Sequence, residues 1–238
     1  MLFRALAVAA LIAAAPTHAA VIGDFRLDGS LANQAGGPLT MTNNGGALGA
    51  TGIRFGANQG PTISGFSAPT DFSIEFRFSF DTLGSYRKLI DFLDLGSDVG
   101  VYAYDRSLNF YPCCASAPVF TQGQLATVVL TRDSAGSVAG YVDGTQVLAL
   151  TDFSQTAAVT KMHFFQDDSR TGSEASAGFV DYIRIYDTAL TGAEVAALTP
   201  PDAVPGVPEP AAWAMMIAGF GLAGSAIRRR NRAATVLA

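Results

Sequence analysis

The chain has 238 residues, a formal net charge of −5 at pH 7 and two cysteines. Between residues 20 and 205 it carries 10 Lys and Arg against 19 Asp and Glu. Such an acidic surface repels phosphate groups, which argues against a nucleic-acid-binding protein. The same segment is long enough for one domain with a sizeable core.

Residues 1–19 have the pattern of a secretory signal peptide. Arg4 supplies the positive charge, an apolar run extends over 6–15, and Pro16 ends it before small residues at 17 and 19. We expect cleavage after Ala19, or failing that after Ala20. An uncleaved membrane anchor is the alternative, but the apolar run is shorter than the roughly 20 residues that span a bilayer.

Period-2 alternation dominates residues 21–190 and predicts an all-β domain. In Asp71–Phe80 five apolar residues share one face, and Ser73, Glu75, Arg77 and Ser79 share the other, which predicts a half-buried strand. Further strands are predicted at Lys88–Phe92, Val99–Tyr104, Leu108–Tyr111, Leu125–Thr131, Val138–Val142, Gln146–Leu150, Lys161–Phe165 and Gly178–Tyr186. Many short strands with glycine-rich turns favour a two-sheet antiparallel sandwich over residues 20–199.

Two local patterns predict finer detail. Asp143-Gly144, between two alternating runs, is typical of a type I′ hairpin turn. Gly192–Leu198 is the one segment of the body with a helical pattern, and Thr191 followed by Glu194 predicts a capping box at its start.

Cys113 and Cys114 are adjacent and are the two cysteines of the chain. Free thiols rarely persist in an oxidising compartment. Neighbouring cysteines close a small strained ring or pair between molecules, because ordinary bridge geometry needs Cα atoms further apart. A vicinal disulfide is the favoured interpretation, and a reduced or intermolecular pair remains open.

The segment after the predicted strand at 161–165 is the best candidate for a functional loop. Asp167, Asp168 and Glu174 place three carboxylates within eight residues, spaced by Ser and Gly. Calcium prefers such oxygen ligands, so one interpretation is a calcium site. The alternative is that Asp, Ser and Gly make an ordinary surface turn here.

Evidence for catalysis is weak. Glycoside hydrolases use two carboxylates that flank the sugar, and no strand carries alternating acids on one face. Glu75 is most simply a solvated strand residue, and the lone His163 of the mature chain is more typical of a structural residue than of a base. Aromatic residues near the cysteines either stack on sugar rings or belong to the core; they are Tyr102, Tyr104, Phe110 and Tyr111.

The C-terminal segment has three parts in a fixed order. Residues 200–210 form a proline-rich linker, 211–227 are apolar and long enough for a short transmembrane helix, and 228–238 begin with arginines. Arginines mark the cytoplasmic flank of such a helix, which places the preceding domain outside the inner membrane.

The order of these parts resembles the PEP-CTERM sorting signal, in its Trp-Ala subclass. The residues that carry the resemblance are Val207, Pro208, Glu209, Pro210, Trp213, Arg228, Arg229 and Arg230. The resemblance implies recognition by a membrane-embedded exosortase, cleavage near Pro-Glu-Pro, and release or transfer to the cell surface. Proteins of this kind occur in Gram-negative bacteria that make exopolysaccharide.

Three segments of the body resemble the laminin-G-like, concanavalin A-like jelly roll. They are residues 24–29, 125–150 and 178–198, and the closing strand followed by a helix is the most specific. This resemblance implies carbohydrate or protein ligands, often a bound calcium ion with Asp28 and Asp181 as further ligands, and in a minority of the fold a glycoside hydrolase.

Together the patterns predict an exported, non-catalytic protein that binds carbohydrate or has a structural role at the cell surface or in the exopolysaccharide matrix. Its predicted partners are an exosortase, the inner membrane and exopolysaccharide, with calcium as a candidate ion. The competing hypothesis is a divergent glycan-active hydrolase, which requires two acids roughly 5 to 10 Å apart in an open groove.

Overall fold

The structure, a computed structural model, describes residues 19–151, 159–168 and 170–201. The chain divides into two units, Met1–Leu198 and Thr199–Ala238. The predicted signal peptide (except Ala19), nearly all of the linker, the apolar helix and the basic tail lie outside the described residues. Within the described ranges no helix has the length and apolar character needed to cross a membrane.

The regular secondary structure in the described part of the first unit is almost entirely β-strand. In chain order they are β1 (Val21–Phe25), β2 (Thr40–Thr42), β3 (Ala47–Leu48), β4 (Ile53–Phe55), β5 (Thr62–Ser64), β6 (Phe72–Phe80), β7 (Tyr86–Asp91), β8 (Gly100–Tyr104), β9 (Ser107–Tyr111), β10 (Cys114–Pro118), β11 (Ala126–Arg132), β12 (Val138–Val142), β13 (Thr145–Leu150), β14 (Lys161–Phe164) and β15 (Gly178–Tyr186). A single short helix, α1 (Gly192–Ala196), follows them within the described chain.

The strands form two antiparallel sheets. The eight-stranded sheet has the order β13-β12-β11-β6-β15-β4-β3, and β1 also pairs with β15; the seven-stranded sheet has the order β10-β9-β8-β7-β14-β5-β2. One edge of β15 pairs with β6. The other edge pairs with two strands, with β4 along residues 178–180 and with β1 along residues 183–186. The predicted all-β, two-sheet antiparallel sandwich is therefore confirmed.

Strand β6 shows how the core is built. Its five apolar residues, from Phe72 to Phe80, are each at most 2% exposed and belong to the main core cluster, which also contains Ile90, Val101 and Phe110 of the other sheet. Phenylalanine rings from both sheets meet there; the rings of Phe76 and Phe164 lie 5.7 Å apart, edge to face. The alternation in the sequence thus marks the face that lies between the sheets.

The prediction that β6 is half-buried is wrong. Glu75, on its other face, is 1% exposed and accepts hydrogen bonds from the hydroxyls of Tyr182 (2.7 Å) and Tyr186 (2.6 Å). Because β6 is a central strand, long side chains from β15 cover its polar face. Glu75 is therefore a buried, hydrogen-bonded carboxylate and not a solvated one.

Both predictions of finer detail, the type I′ turn and the capping box, are confirmed by the structure. Asp143 (φ 48°) and Gly144 (φ 77°) both have the positive φ that a type I′ turn requires. Thr191 and Glu194 form the reciprocal hydrogen bonds of a capping box at the start of α1. Val195 of α1 packs with Val129, Tyr141 and Tyr186, so the helix covers the outer face of the eight-stranded sheet.

Candidate functional site

The outer face of the seven-stranded sheet carries a group of tyrosines. Val101 and Ala103 point into the core, so their neighbours in β8, Tyr102 and Tyr104, point to the other side. Tyr86 of β7 pairs with Tyr104, and Tyr111 of β9 pairs with Gly100. Strand register therefore places four tyrosines from three adjacent strands on one face.

The rings of these tyrosines contact one another. Tyr86 stacks on Tyr104 with ring centroids 4.1 Å apart. The rings of Tyr86 and Tyr111 meet edge to face at 5.6 Å, and those of Tyr86 and Tyr102 at 5.3 Å. Edge-to-face and offset pairs are the favoured aromatic geometries. The cluster therefore presents a fixed aromatic wall, and the buried hydroxyl of Tyr102 donates to the carbonyl of Asp98 at 2.6 Å.

Two loops extend this face. One runs from Phe92 to Val99 between β7 and β8, and the other, the 167–174 loop, precedes β15. The second is held to the sheet by its backbone, because the Lys88 amide donates to the carbonyl of Glu174 at 2.9 Å. The carboxylate of Asp167 folds the loop on itself by accepting from the amides of Asp168 (3.0 Å) and Glu174 (2.9 Å).

The sheet and the two loops enclose a cavity of about 280 Å³, which we call the tyrosine pocket. Its lining residues are Tyr86, Asp98, Tyr102, Tyr111, Thr171 and Glu174. Pockets for drug-sized ligands start at about 300 Å³. The tyrosine pocket is therefore suited to one ring-sized group of a larger ligand.

Lys88 lies beneath the pocket and is fully buried. Its Nζ is 3.0 Å from Asp168 Oδ2 and 3.5 Å from Asp91 Oδ2, and it donates to the carbonyl of Asp98 at 3.3 Å. The same ammonium group lies 4.4 Å from the ring centre of Tyr102. One buried cation thus fastens both loops to the sheet, since Asp98 belongs to one loop and Asp168 to the other.

The pocket raises the pKa of Glu174 to about 7. Burial is the largest cause, and the negative charges of Asp98 and Asp167 add to it, against a smaller opposing effect of Tyr102 and Lys88. Burial also raises the pKa of Asp167. Glu174 therefore changes charge near neutral pH, which is unusual for a carboxyl group and common at functional sites.

A family model described as the concanavalin A-like lectin/glucanases superfamily matches residues 51–196. The chain belongs to this superfamily. A second model, the PEP-CTERM protein-sorting motif, matches residues 206–230 and confirms the resemblance of the tail. This motif implies export and C-terminal processing by an exosortase at the membrane. No curated protein matches the sequence significantly.

Solved structures of the same fold include carbohydrate-active and carbohydrate-binding proteins. Domain 4 of a GH43 extracellular arabinanase from Geobacillus stearothermophilus, in complex with arabinotriose, is 18% identical with a TM-score of 0.58, over 76% of this chain and 98% of that one. A Trypanosoma rangeli sialidase is 16% identical with a TM-score of 0.58, over 71% of this chain and 31% of that one.

Botulinum neurotoxin type C, whose cell entry depends upon interaction with two ganglioside molecules, is 12% identical with a TM-score of 0.57. The match covers 74% of this chain and 50% of the neurotoxin chain. At these identities the likeness shows the shared fold, and the chain spans half or less of the sialidase and neurotoxin chains.

The three residues predicted to bind calcium all lie in the 167–174 loop, but each carboxylate has different contacts. Asp168 is bonded to Lys88, Asp167 accepts from loop amides, and Glu174 faces the tyrosine pocket. Among the described residues no group of three or more His, Cys, Asp or Glu side chains is arranged to hold a metal ion. The further candidate Asp181 pairs with Arg77 at 3.0 Å. The calcium site stays a prediction.

The cysteines lie at the start of β10, beside the pocket strand β9. The sulfur atoms of Cys113 and Cys114 are bonded to each other, and the Cys113 amide donates to the carbonyl of Phe110 at 2.7 Å. The bonded pair therefore sits in the tight turn that follows Tyr111.

The aromatic residues singled out from the sequence divide between the pocket and the core. Tyr102 and Tyr111 line the pocket, Tyr104 stacks at its edge, and Phe110 is a core residue. His163 has Thr62 Oγ1 at 3.0 Å from Nδ1 and Asp94 Oδ1 at 2.9 Å from Nε2, which agrees with a structural role.

Tyr86 and Asp98 were not among the residues singled out from the sequence. Tyr86 reaches the site through its pairing with Tyr104, and Asp98 through the anchoring of its loop by Lys88. Tyr86 carries a weak signal, since it lies two residues before the predicted strand Lys88–Phe92. Asp98 lies in an ordinary turn and carries none.

Proposed function

We propose that this protein binds carbohydrate without cleaving it, and that the tyrosine pocket is the binding site. The observation that carries the proposal is the combination of aromatic rings and carboxylates in one pocket of the outer sheet face. Aromatic faces pack against the C–H faces of sugar rings, and carboxylates accept hydrogen bonds from sugar hydroxyls. The arabinanase domain of the same fold, in complex with arabinotriose, supports this choice of ligand class.

We further propose where this binding takes place. The protein crosses the inner membrane with the aid of its signal peptide, and residues 211–227 anchor it there transiently or permanently. After exosortase processing it resides at the cell surface or in the exopolysaccharide matrix. Exopolysaccharide of the producing cell is therefore the proposed ligand.

The test is binding of the purified protein to the exopolysaccharide of its own host, first with calcium and then with a chelator. Saturable binding in either condition is the expected result. Loss of binding on chelation would indicate that binding requires a calcium ion, for which Asp167, Asp168 and Glu174 are the predicted ligands. Absence of binding in both conditions would contradict the proposal and favour a purely structural surface protein.

One observation favours a glycan-active hydrolase as a second candidate function. Glu174, with its pKa raised to about 7, shares the pocket with Asp98, and retaining and inverting glycosidases need such a pair of carboxyl groups with one kept protonated. Incubation with the same polysaccharide distinguishes the two. New reducing ends that disappear in Glu174→Gln would establish hydrolysis, and an unchanged polysaccharide agrees with binding alone.

A further inference from the structure

The two carboxylates of the tyrosine pocket lack a cationic partner. Neither Asp98 nor Glu174 lies within 4.0 Å of a Lys, Arg or His nitrogen in the described parts of the chain, whereas Asp91, Asp94, Asp168 and Asp181 all do. Lys88, the cation beneath the pocket, gives its side-chain contacts to Asp168, Asp91 and the carbonyl of Asp98. No ion pair within the described residues therefore neutralises Asp98 or Glu174.

Glu174 also has an unused acceptor. Its Oε2 is buried and has no hydrogen-bond partner among the described residues. A buried acceptor without a donor costs about 1–3 kcal/mol, and more when it is charged. A ligand that brings a hydrogen-bond donor to this oxygen would satisfy it.

We propose that the tyrosine pocket selects a protonated amine, carried by an amino-sugar residue of the polysaccharide. An ammonium group offers three donors and a positive charge, which suits two carboxylates better than a hydroxyl group does. The tyrosine rings contribute at the same time, because a cation is attracted to an aromatic face and the sugar ring packs on it. This inference rests on the proposed function.

A bare metal ion fits the pocket less well than an ammonium group. Calcium takes six to eight oxygen ligands, and the described residues provide no group of three or more metal-binding side chains here. An anionic sugar fits worst, because its charge would meet Asp98 and Glu174 directly. The charge of the pocket therefore distinguishes between sugar classes that its aromatic wall would accept equally.

The test compares three β-1,4-linked oligosaccharides of equal length, built from glucosamine, N-acetylglucosamine and glucose. They share the ring and the linkage and differ at C2, which bears an amine that can be protonated, an acetamide or a hydroxyl group. Titration calorimetry at pH 7 in chelator-containing buffer is expected to give the glucosamine oligomer a Kd about tenfold lower than the glucose oligomer, the advantage of a charge-assisted hydrogen bond.

A pair of variants locates the preference. Glu174→Gln keeps the shape of the side chain and removes its charge, so it is expected to weaken the glucosamine oligomer about tenfold and to reduce the difference between the oligomers. Asp105→Asn also replaces a carboxylate by an amide, at an exposed position outside the pocket lining, and is expected to leave the difference unaltered. Retention of the full preference in Glu174→Gln would overturn the assignment to this pocket.

The outcomes separate this inference from the proposed function. Equal or weaker affinity for the glucosamine oligomer, or no binding of it at all, overturns the selection for amines. The host exopolysaccharide assay is read independently, and saturable binding there leaves carbohydrate binding in place even when the amine is not selected.

Discussion

At the scale of single residues, the site depends on charged groups that the fold has removed from water. Lys88 is fully buried between Asp168 and Asp91, and Glu174 faces a cavity with one unpaired oxygen. Burying a charge is costly unless it is paired. We therefore expect Lys88 and Glu174 each to affect the free energy of unfolding more than a charged residue at the surface does.

Replacement of Lys88 by methionine is expected to destabilise the protein by about 3–5 kcal/mol, because Asp168 and Asp91 lose their buried counter-charge. Urea denaturation measures the change in the free energy of unfolding. The matched control is Lys161→Met, which removes a pair with Asp94 whose side chains are 46% and 63% exposed. Such surface pairs contribute about 0–1 kcal/mol. Equal losses in the two variants would contradict the role given to Lys88.

Glu174 is expected to make stability depend on pH near neutrality. Its pKa is about 7 in the folded protein against an ordinary 4.5, so between these values the folded state binds more protons than the unfolded state. Stability therefore falls as pH rises through this range, and the raised pKa of Asp167 acts in the same direction. Thermal melting at pH 5 and pH 8 should show a smaller difference in Glu174→Gln than in the wild type. An unchanged difference would show that Glu174 does not titrate in this range.

At the scale of elements, most strands and the hairpin turn are predicted by local sequence patterns. Strand boundaries from alternation fall within two residues of the structure, because residues that face the core must be apolar along the whole strand. β1 to β5 and β10 were not predicted. β2 to β5 have only two or three residues and hold too few alternating positions, whereas β1 contains a glycine and β10 a proline, which are both depleted in strands.

The pocket was predicted in part, for a physical reason. Asp167, Asp168, Glu174, Tyr102 and Tyr111 stand out from residue type and spacing, but their association depends on the pairing of β7, β8 and β9 and on the contacts of Lys88. Strand pairing and buried ion contacts join residues far apart in the chain. Local patterns do not encode them.

The hairpin between β12 and β13 offers a test at this scale. Gly144→Ala is expected to cost about 1 kcal/mol, because φ is +77° and the added Cβ meets only an ordinary contact, Ala196 Cα at 3.8 Å. Gly84→Ala is the control, since its Cβ has no neighbour within 4 Å and its φ is outside the left-handed region. Thermal unfolding measures the loss of stability in each variant. An equal loss in Gly144→Ala and Gly84→Ala would contradict the type I′ turn.

At the scale of the whole molecule, the chain combines a domain of the concanavalin A-like lectin/glucanases superfamily with a sorting signal. The superfamily match spans residues 51–196 and the PEP-CTERM match spans 206–230, so the domain and the sorting motif occupy separate parts of the sequence. The sorting motif accounts for where the protein goes. The tyrosine pocket is the proposed site of its activity there.

Replacement of Pro208, Glu209 and Pro210 by alanine is expected to block exosortase processing without changing the domain. The physical reason is that the processing enzyme must recognise this short segment, whereas the domain does not contain it. Mass spectrometry of the protein from host cells should find the C-terminal tail retained in the variant and removed in the wild type. Removal of the tail from both proteins would contradict the role of the motif.

The central claim, that the tyrosine pocket binds carbohydrate, is tested most directly by the affinity of Tyr111→Ala for the host exopolysaccharide. The account predicts a Kd about tenfold higher or more, because the variant loses an aromatic wall of the site. Leu125→Ala, which truncates an apolar side chain that is 41% exposed and outside the pocket lining, should leave the Kd unchanged. Wild-type affinity in Tyr111→Ala would contradict the claim and place the ligand elsewhere on the molecule.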